Sequence, residues 1–424
     1  MKTLFKNAIV VTLNEKNDIL NGYDVLVEDN IIAKIAKNIN CENAKIVNCE
    51  NKVLMPGFIN AHSHSPMSLF RGLGENTTFK NWWYEVMRPL EQKASKQDFY
   101  YGAVLSYLEM IKNGITTSCD VYMHIEELCK AMSHCKMRGL VGIGGITGTE
   151  VLSEKYLENQ VLAIKKINPQ ITPVLYAHSV YSCNEDIFEE LISFAKKHNY
   201  LLTTHCSETL TEVGDCVSKY DQTPVELLEN YGFFDNKCLL AHCVHCDKQD
   251  IEILQNYDVS VVSCPSSNLI LGSGIAPIYS FKKKGVNVCL GTDGAASNNS
   301  LNMFKEMFLL DNLQAGVLNQ PGAISVVDTL KMATINGAKA LGLKNLGIIK
   351  QGCLADIILV ELNSPNMQPI NDLANNLVNS CNGGNVYLTM VNGEILYCNN
   401  KFYLDIDIDE IYSQVNKRIN KIKK

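Results

Sequence analysis

Apolar and polar positions change period along the chain, and the changes mark its parts. Residues 1–55 carry short β-branched or alternating runs: Ala8-Ile9-Val10-Val11-Thr12-Leu13, Tyr23-Asp24-Val25-Leu26-Val27 and Asn30-Ile31-Ile32-Ala33-Lys34-Ile35. Period two is the signature of strands. The pattern returns near the other end, in Ala355–Val360 and Val386–Tyr397, the second run broken by Asn392-Gly393, a strong two-residue hairpin signal. So few short strands hold too little apolar surface for a core of their own. Both chain ends are therefore expected to join in one small composite β-sandwich, 1–55 plus 345–403.

Between the ends, strand and helix patterns alternate. Strand candidates are Phe58–His64, Gly114–Tyr122, Leu140–Ile146, Thr172–Val180, Tyr200–Glu208, Cys238–His245, Val259–Ser267 and Val286–Gly294, followed by helical patterns such as Glu185–Lys197 and Asp247–Asn256. This number of repeated units predicts an α/β fold, a (β/α)8 TIM barrel over 56–344. A doubly wound open sheet is the alternative. It is disfavoured because chemistry-bearing residues sit at the ends of most strands, and only a closed ring gathers those ends in one place. From Leu404 to Lys424, Ile406, Ile408, Ile411, Val415 and Ile419 fall at roughly helical spacing with lysines opposite, which predicts an amphipathic helix packed on the body.

Composition narrows the function classes. The 424 residues suffice for one large barrel and a smaller domain, and 46% hydrophobic with 20% charged residues is ordinary for a globular protein. A net charge of -7 without long blocks of like charge argues against nucleic acid as a partner. No apolar run approaches the roughly 18 residues of a membrane span, and Met1–Lys6 lacks the apolar core of a signal peptide. A cytoplasmic protein is expected, its 16 cysteines reduced and mostly buried.

The candidate chemistry lies at the strand ends. His62 and His64, spaced i, i+2 after Met55-Pro56-Gly57, project to one face of a strand. The fourth strand ends at His178, the fifth in Thr204-His205-Cys206-Ser207-Glu208, the sixth in Ala241-His242-Cys243-Val244-His245, and the eighth in Gly291-Thr292-Asp293-Gly294. A barrel would converge five of the nine histidines beside one glutamate and one aspartate. Imidazoles with a carboxylate suit a divalent transition metal. Cys243 and Cys246 are alternative ligands, but the histidines have better-placed partners.

Pro56–His64, with Thr204-His205, His242 and Gly291–Gly294, resembles the metal-dependent amidohydrolase superfamily over essentially the whole chain. His64-Ser65-Pro66-Met67-Ser68-Leu69-Phe70-Arg71-Gly72, Ala241–His245 and Gly291–Asn299 are similar to its S-adenosylhomocysteine/5'-methylthioadenosine deaminase group, which is related to guanine deaminases and triazine chlorohydrolases. The resemblance implies that His62, His64, His205 and Asp293 hold one divalent metal, zinc favoured and iron compatible with the same ligands. Relatives with two metals use a modified lysine at the end of the fourth strand, where this chain has His178. It further implies hydrolytic deamination of a purine nucleoside, a small-molecule substrate. In that reaction His242 and Asp293 orient the attacking water and accept its proton, and Glu208 acts as general acid and proton shuttle on the ring. His178 binds the purine, and Glu91 the ribose hydroxyls. Trp82 and Trp83 are read either as a cover over the base or as packing. Relatives are often homo-oligomers.

One departure bears on the substrate. Relatives acting on S-adenosylhomocysteine hold its carboxylate with arginine, one position being near the start of the third strand. Here that stretch reads Leu140-Val141-Gly142-Ile143-Gly144-Gly145-Ile146, and no arginine occurs between Arg138 and Arg418. The expected substrates are thus the smaller 5'-deoxyadenosine, 5'-methylthioadenosine or adenosine, with a lysine able to serve only as a point charge. Alternative readings are deamination or dechlorination of another heterocycle (guanine, a pterin, a triazine) and, last, an inactive metal-binding barrel.

Overall fold

The computed structural model describes residues 1–74, 76–148 and 152–424. Eight strands form its central sheet: β1 (Phe58–Ser63), β2 (Ile115–Asp120), β3 (Arg138–Gly145), β4 (Thr172–Ala177), β5 (Leu202–Cys206), β6 (Cys238–His242), β7 (Val259–Ser263) and β8 (Asn287–Leu290). They lie in sequence order, and every adjacent pair is parallel. An open doubly wound sheet would reverse its order at a switch point; this one runs round without reversal. Most strand residues are buried, as parallel strands must be when side chains fill the ring and helices cover it. Between β8 and β1 the join is made by the motifs themselves. The Asp293 N–H donates to the His62 carbonyl at 3.0 Å. The Thr292 N–H donates to Asn60 Oδ1 at 2.9 Å, and Asn60 Nδ2 returns a bond to Thr292 Oγ1 at 2.7 Å.

The chain ends meet in a nine-stranded sheet. Lys52–Pro56 sits between Ile357–Glu361, to which it is antiparallel, and Lys2–Val11, to which it is parallel. Phe5, Val25 and Leu54 from one end share a buried cluster with Ile357, Leu388 and Met390 from the other. The hairpin at Asn392-Gly393 has both residues at positive φ, 50° and 79°, and a Cβ on Gly393 would lie 1.8 Å from the Asp29 carbonyl oxygen. Only glycine fits there. Arg138, at the start of β3, forks onto Asp356 at 2.8 and 3.0 Å and ties the sheet to the N-terminal end of the barrel.

The helix Ile408–Ile422 buries Ile411, Val415 and Ile422. Arg418 bonds Asp98 at 2.8 Å and lies over Tyr101, 4.3 Å from the ring centre, both on the helix Lys96–Lys112. Among the described residues no helix is long and apolar enough to cross a membrane.

Candidate metal centre and active site

The C-terminal ends of the barrel strands bring His62, His64 and His205 together. His205 Nε2 lies 3.1 Å from His62 Nε2 and 3.3 Å from His64 Nε2. Asp293 Oδ1 is 3.2 Å from His64 Nε2 and 3.7 Å from His62 Nε2. The opposite ring nitrogens decide what this cluster is. His64 Nδ1 donates to the Val121 carbonyl and His205 Nδ1 to the His178 carbonyl, each at 2.6 Å. In the neutral tautomer that donates from Nδ1, each of these rings turns a bare Nε2 lone pair toward the centre. Lone pairs crowded at such distances repel unless a cation lies among them, and a backbone carbonyl on the far nitrogen is the usual second partner of a ligating histidine. Burial, reinforced by the neighbouring histidines, pushes His62 and His205 well below the usual histidine range, so both rings are neutral and ligand-competent.

Asp293 completes the donor set. Burial alone would raise its carboxyl, but His64, His242 and His62 outweigh that and hold it below the usual range. Ser267 Oγ donates to Oδ2 at 2.5 Å, Ser297 Oγ to Oδ2 at 2.9 Å, and the Gly294 N–H to Oδ1 at 2.8 Å. Three imidazoles and one carboxylate, all buried except the partly exposed His64, fit a divalent metal with a position left for water. Cys243 and Cys246 do not join them: their thiols neighbour Cys206 and each other.

Left-handed backbone recurs here at residues with a Cβ: Ser207 (φ 49°), His242 (φ 74°), Cys243 (φ 47°) and Asp293 (φ 60°). Such conformations are unfavourable, and they persist where surrounding bonds over-determine them. They turn the chain abruptly as it leaves β5, β6 and β8.

Glu208 and His242 flank the cluster, 4% and 1% exposed. Burial, helped by Asp293, raises the Glu208 carboxyl above its ordinary value despite the opposing His242. For His242 burial pulls down, but Glu208 and Asp293 pull harder and the net shift is upward. Burial raises the carboxyl, and the two neighbouring carboxylates raise the imidazole, which suits the pair to exchange protons. His242 Nδ1 donates to Asn268 Oδ1 at 2.8 Å, which leaves Nε2 free to act.

A cavity of about 390 Å³ opens onto these groups, within the range of small-molecule sites. Its lining includes His178, Glu91, Trp82 and Trp83. Burial pushes His178 down to about 3, so its ring is neutral. Trp83 stacks on it at 5.2 Å with 24° between the planes, whereas Trp82 is 6% exposed and packs on Phe79 and Trp83. Glu91, 6% exposed, accepts a hydrogen bond from the Tyr122 hydroxyl. Burial raises its carboxyl, against the opposing pull of Tyr122, His64 and Arg88.

Some participants carry no obvious mark in the sequence. Ser267 and Asn268 follow β7, the strand whose end was assigned no chemistry; the signal was the polar run Ser266-Ser267-Asn268 after an apolar strand. Tyr122, just past β2, was likewise unassigned. In the third strand arginine occurs only at the first residue, Arg138. Arg71, Arg138 and Arg418 are paired with Glu109, Asp356 and Asp98, and Arg88 is exposed and lies over Tyr84, 5.8 Å from the ring centre. A cation reaches the cavity from another segment: Lys96, exposed at its mouth.

The chain is similar to known proteins over its whole length. The amidohydrolase family profile matches residues 53–396. The chain is 36% identical to a 5-methylthioadenosine/S-adenosylhomocysteine deaminase of Caldicellulosiruptor saccharolyticus, covering 100% of this chain and 99% of the relative. It is 39% identical to one from Thermococcus kodakarensis, over 93% of this chain and 94% of the relative. Among solved structures, an adenosine deaminase from Xanthomonas campestris with bound zinc superposes with a TM-score of 0.95 at 27% identity, covering 99% of this chain and 98% of that one. With a full-length match of this kind laid over a parallel barrel whose strand ends converge three histidines and an aspartate, the chain belongs to the amidohydrolase family.

Proposed function

We propose that the protein is a metal-dependent hydrolytic deaminase that converts the 6-amino group of an adenine nucleoside to the inosine analogue and ammonia. The observation that carries this is the convergence of three histidine Nε2 atoms and Asp293 beside a buried acid, Glu208, whose carboxyl is raised. The curated relatives' names support a 5'-substituted adenosine as substrate.

In this reading His62, His64, His205 and Asp293 hold one divalent metal, zinc or iron by their chemistry, zinc being present in the adenosine deaminase of the same fold. When bound, it lowers the pKa of water toward neutrality. Asp293 and His242 orient the water that adds to the ring carbon bearing the amino group, and take its proton. Glu208, whose protonated form burial favours, gives its proton to the adjacent ring nitrogen. It then carries the proton lost by the water to the departing amine, so that ammonia leaves, and the proton of the added hydroxyl returns to Glu208 as the ring carbonyl forms. His178 hydrogen-bonds the purine, its Nδ1 held by Ser182 Oγ at 2.7 Å. Glu91 accepts from the ribose hydroxyls, and Trp83 covers the base.

Lys96 offers a point charge rather than a fork for a carboxylate. Small nucleosides are therefore preferred, with S-adenosylhomocysteine accepted but not favoured. Deamination of a free heterocycle is the competing reading; it gives Glu91 no work.

The test is metal analysis with ammonia release from adenosine, 5'-deoxyadenosine, 5'-methylthioadenosine, S-adenosylhomocysteine, guanine and a triazine. We expect about one metal per chain, loss of activity on chelation, return with zinc, and turnover of the nucleosides. Two tightly bound metals per active chain, none, or equal turnover of guanine or the triazine would overturn the assignment.

A further inference from the structure

Glu208 is the middle of three residues of irregular backbone between β5 and the helix Leu210–Tyr220. Nothing in a loop of that length fixes a side chain by itself, yet proton transfer demands placement within a fraction of an ångström. The structure shows an unusual brace. Glu212, 4% exposed, occupies the third position of the helix, after its N-cap Thr209, whose hydroxyl accepts from the Glu212 N–H at 3.1 Å. In a capping box the acid at this position reaches back to the N–H of the cap residue. Here it reaches past Thr209: Oε2 accepts from the Glu208 N–H at 2.7 Å and Oε1 from the Ser207 N–H at 3.2 Å.

Both bonds fall where the backbone needs them. Ser207 has a φ of 49°, which a residue with a Cβ adopts only under constraint. Its carbonyl is held from the other side, accepting from the His245 N–H at 2.9 Å. The peptide before Glu208 is thus pinned between the loop after β6 and the Glu212 carboxylate. Glu212 does not line the cavity that receives substrate, so it touches none of the reacting atoms.

We propose that Glu212 is a positioning residue whose carboxylate fixes the Ser207-Glu208 backbone, so that the Glu208 carboxyl is held against the substrate ring. The proposal rests on the proton-shuttle role given to Glu208 above. A buried acid that merely stabilised the fold would affect every property of the enzyme alike. One that aims Glu208 acts only while Glu208 has a proton to deliver.

The test is a double-mutant cycle on the zinc-loaded, full-length protein. Glu212→Gln keeps the size of the side chain but turns an NH2 toward one of the two N–H groups. In the wild-type background it should lower kcat by about tenfold or more, with KM within about twofold and metal content unchanged. In the Glu208→Gln background the same change should cost less than about twofold. Glu212→Asp, which keeps the charge and withdraws it by one methylene, is read in the same cycle should the glutamine variant fail to fold. An equal loss in both backgrounds, or near wild-type kcat in both Glu212 variants, overturns the proposal and leaves the shuttle reading standing. Wild-type turnover in Glu208→Gln alone overturns the shuttle reading, and this proposal with it.

Discussion

The two sides of the cavity are built on different terms. On the floor, four of the side chains that face the metal position have a second partner behind them. His64 and His205 rest on backbone carbonyls, His242 on Asn268, and Asp293 on two serine hydroxyls and an N–H. The roof is the segment Phe79–Lys93, two short helical pieces joined through a π-helical turn, Trp82–Met87. It meets the site through the Trp83 stack on His178 and the Tyr122 hydroxyl on Glu91. A π-turn inside a helix is a frequent mark of a functional segment. The contrast teaches a division of labour. In the reading proposed above, chemistry falls to the braced strand ends and the choice of substrate to the Phe79–Lys93 segment, which can change without disturbing the metal.

The largest effect should come from the floor. Glu208→Gln retains the hydrogen-bonding shape but cannot shuttle a proton, and kcat should fall by about 10²–10⁴, with metal content and melting temperature near wild type. If turnover survives, the floor does not hold the acid. The roof should fail differently. Glu91→Ala should lower kcat/KM for nucleosides by about 10², since each lost charge-assisted bond to a hydroxyl is worth roughly 1.5–3 kcal/mol. Turnover of free adenine, already poor, should be unchanged. Loss of metal from this variant, or an equal loss on adenine, would erase the distinction between the two sides. A smaller effect concerns the mouth. With Lys96 as the cation there, S-adenosylhomocysteine should stay within about tenfold of 5'-methylthioadenosine in kcat/KM. A preference beyond that would show that the mouth binds the amino-acid tail with more than a point charge.

The same division explains what could be read in the sequence. Period-two strands and the convergence of barrel strand ends were enough to bring His62, His64, His205, His242 and Asp293 to one place, because each sits at the end of a recognisable apolar run. Ser267, Asn268 and Tyr122 were not legible as site residues. Their work is to hold another side chain, and a serine or tyrosine in a polar loop carries no mark of the partner it will meet. Asn268 and Ser267 are each 26 residues from the group they support. In the chain-end sheet, Asn392-Gly393 announced its hairpin locally. Nothing local announced that Lys52–Pro56 would pair with Ile357–Glu361, because register across such a separation is set by packing alone.

The last expected effect lies beneath the floor and is on stability rather than turnover. Glu306 is fully buried, and its carboxylate accepts from the Ser266 N–H and from Asn298 Nδ2, both at 2.9 Å. It thus links the loop after β7 to the loop after β8, which carry Asn268 and Asp293. Burial raises this carboxyl from an ordinary 4.5 to about 7. The folded protein therefore holds a proton on Glu306, between those two values, that the unfolded chain has released. Stability contributed by this group is complete below 4.5 and is lost as pH rises toward and through 7. Glutamine at this position cannot titrate; it costs a hydrogen bond, but by the same amount at every pH. In urea unfolding, the advantage of wild type over Glu306→Gln should shrink by about 1–3 kcal/mol between pH 5 and pH 8. Asp293 and the histidines contribute equally to both proteins and drop out of that difference. A constant difference would mean that the two N–H donors keep Glu306 ionised throughout. The floor would then be held by a charge rather than by a buried acid, and its rigidity would not depend on pH in this range.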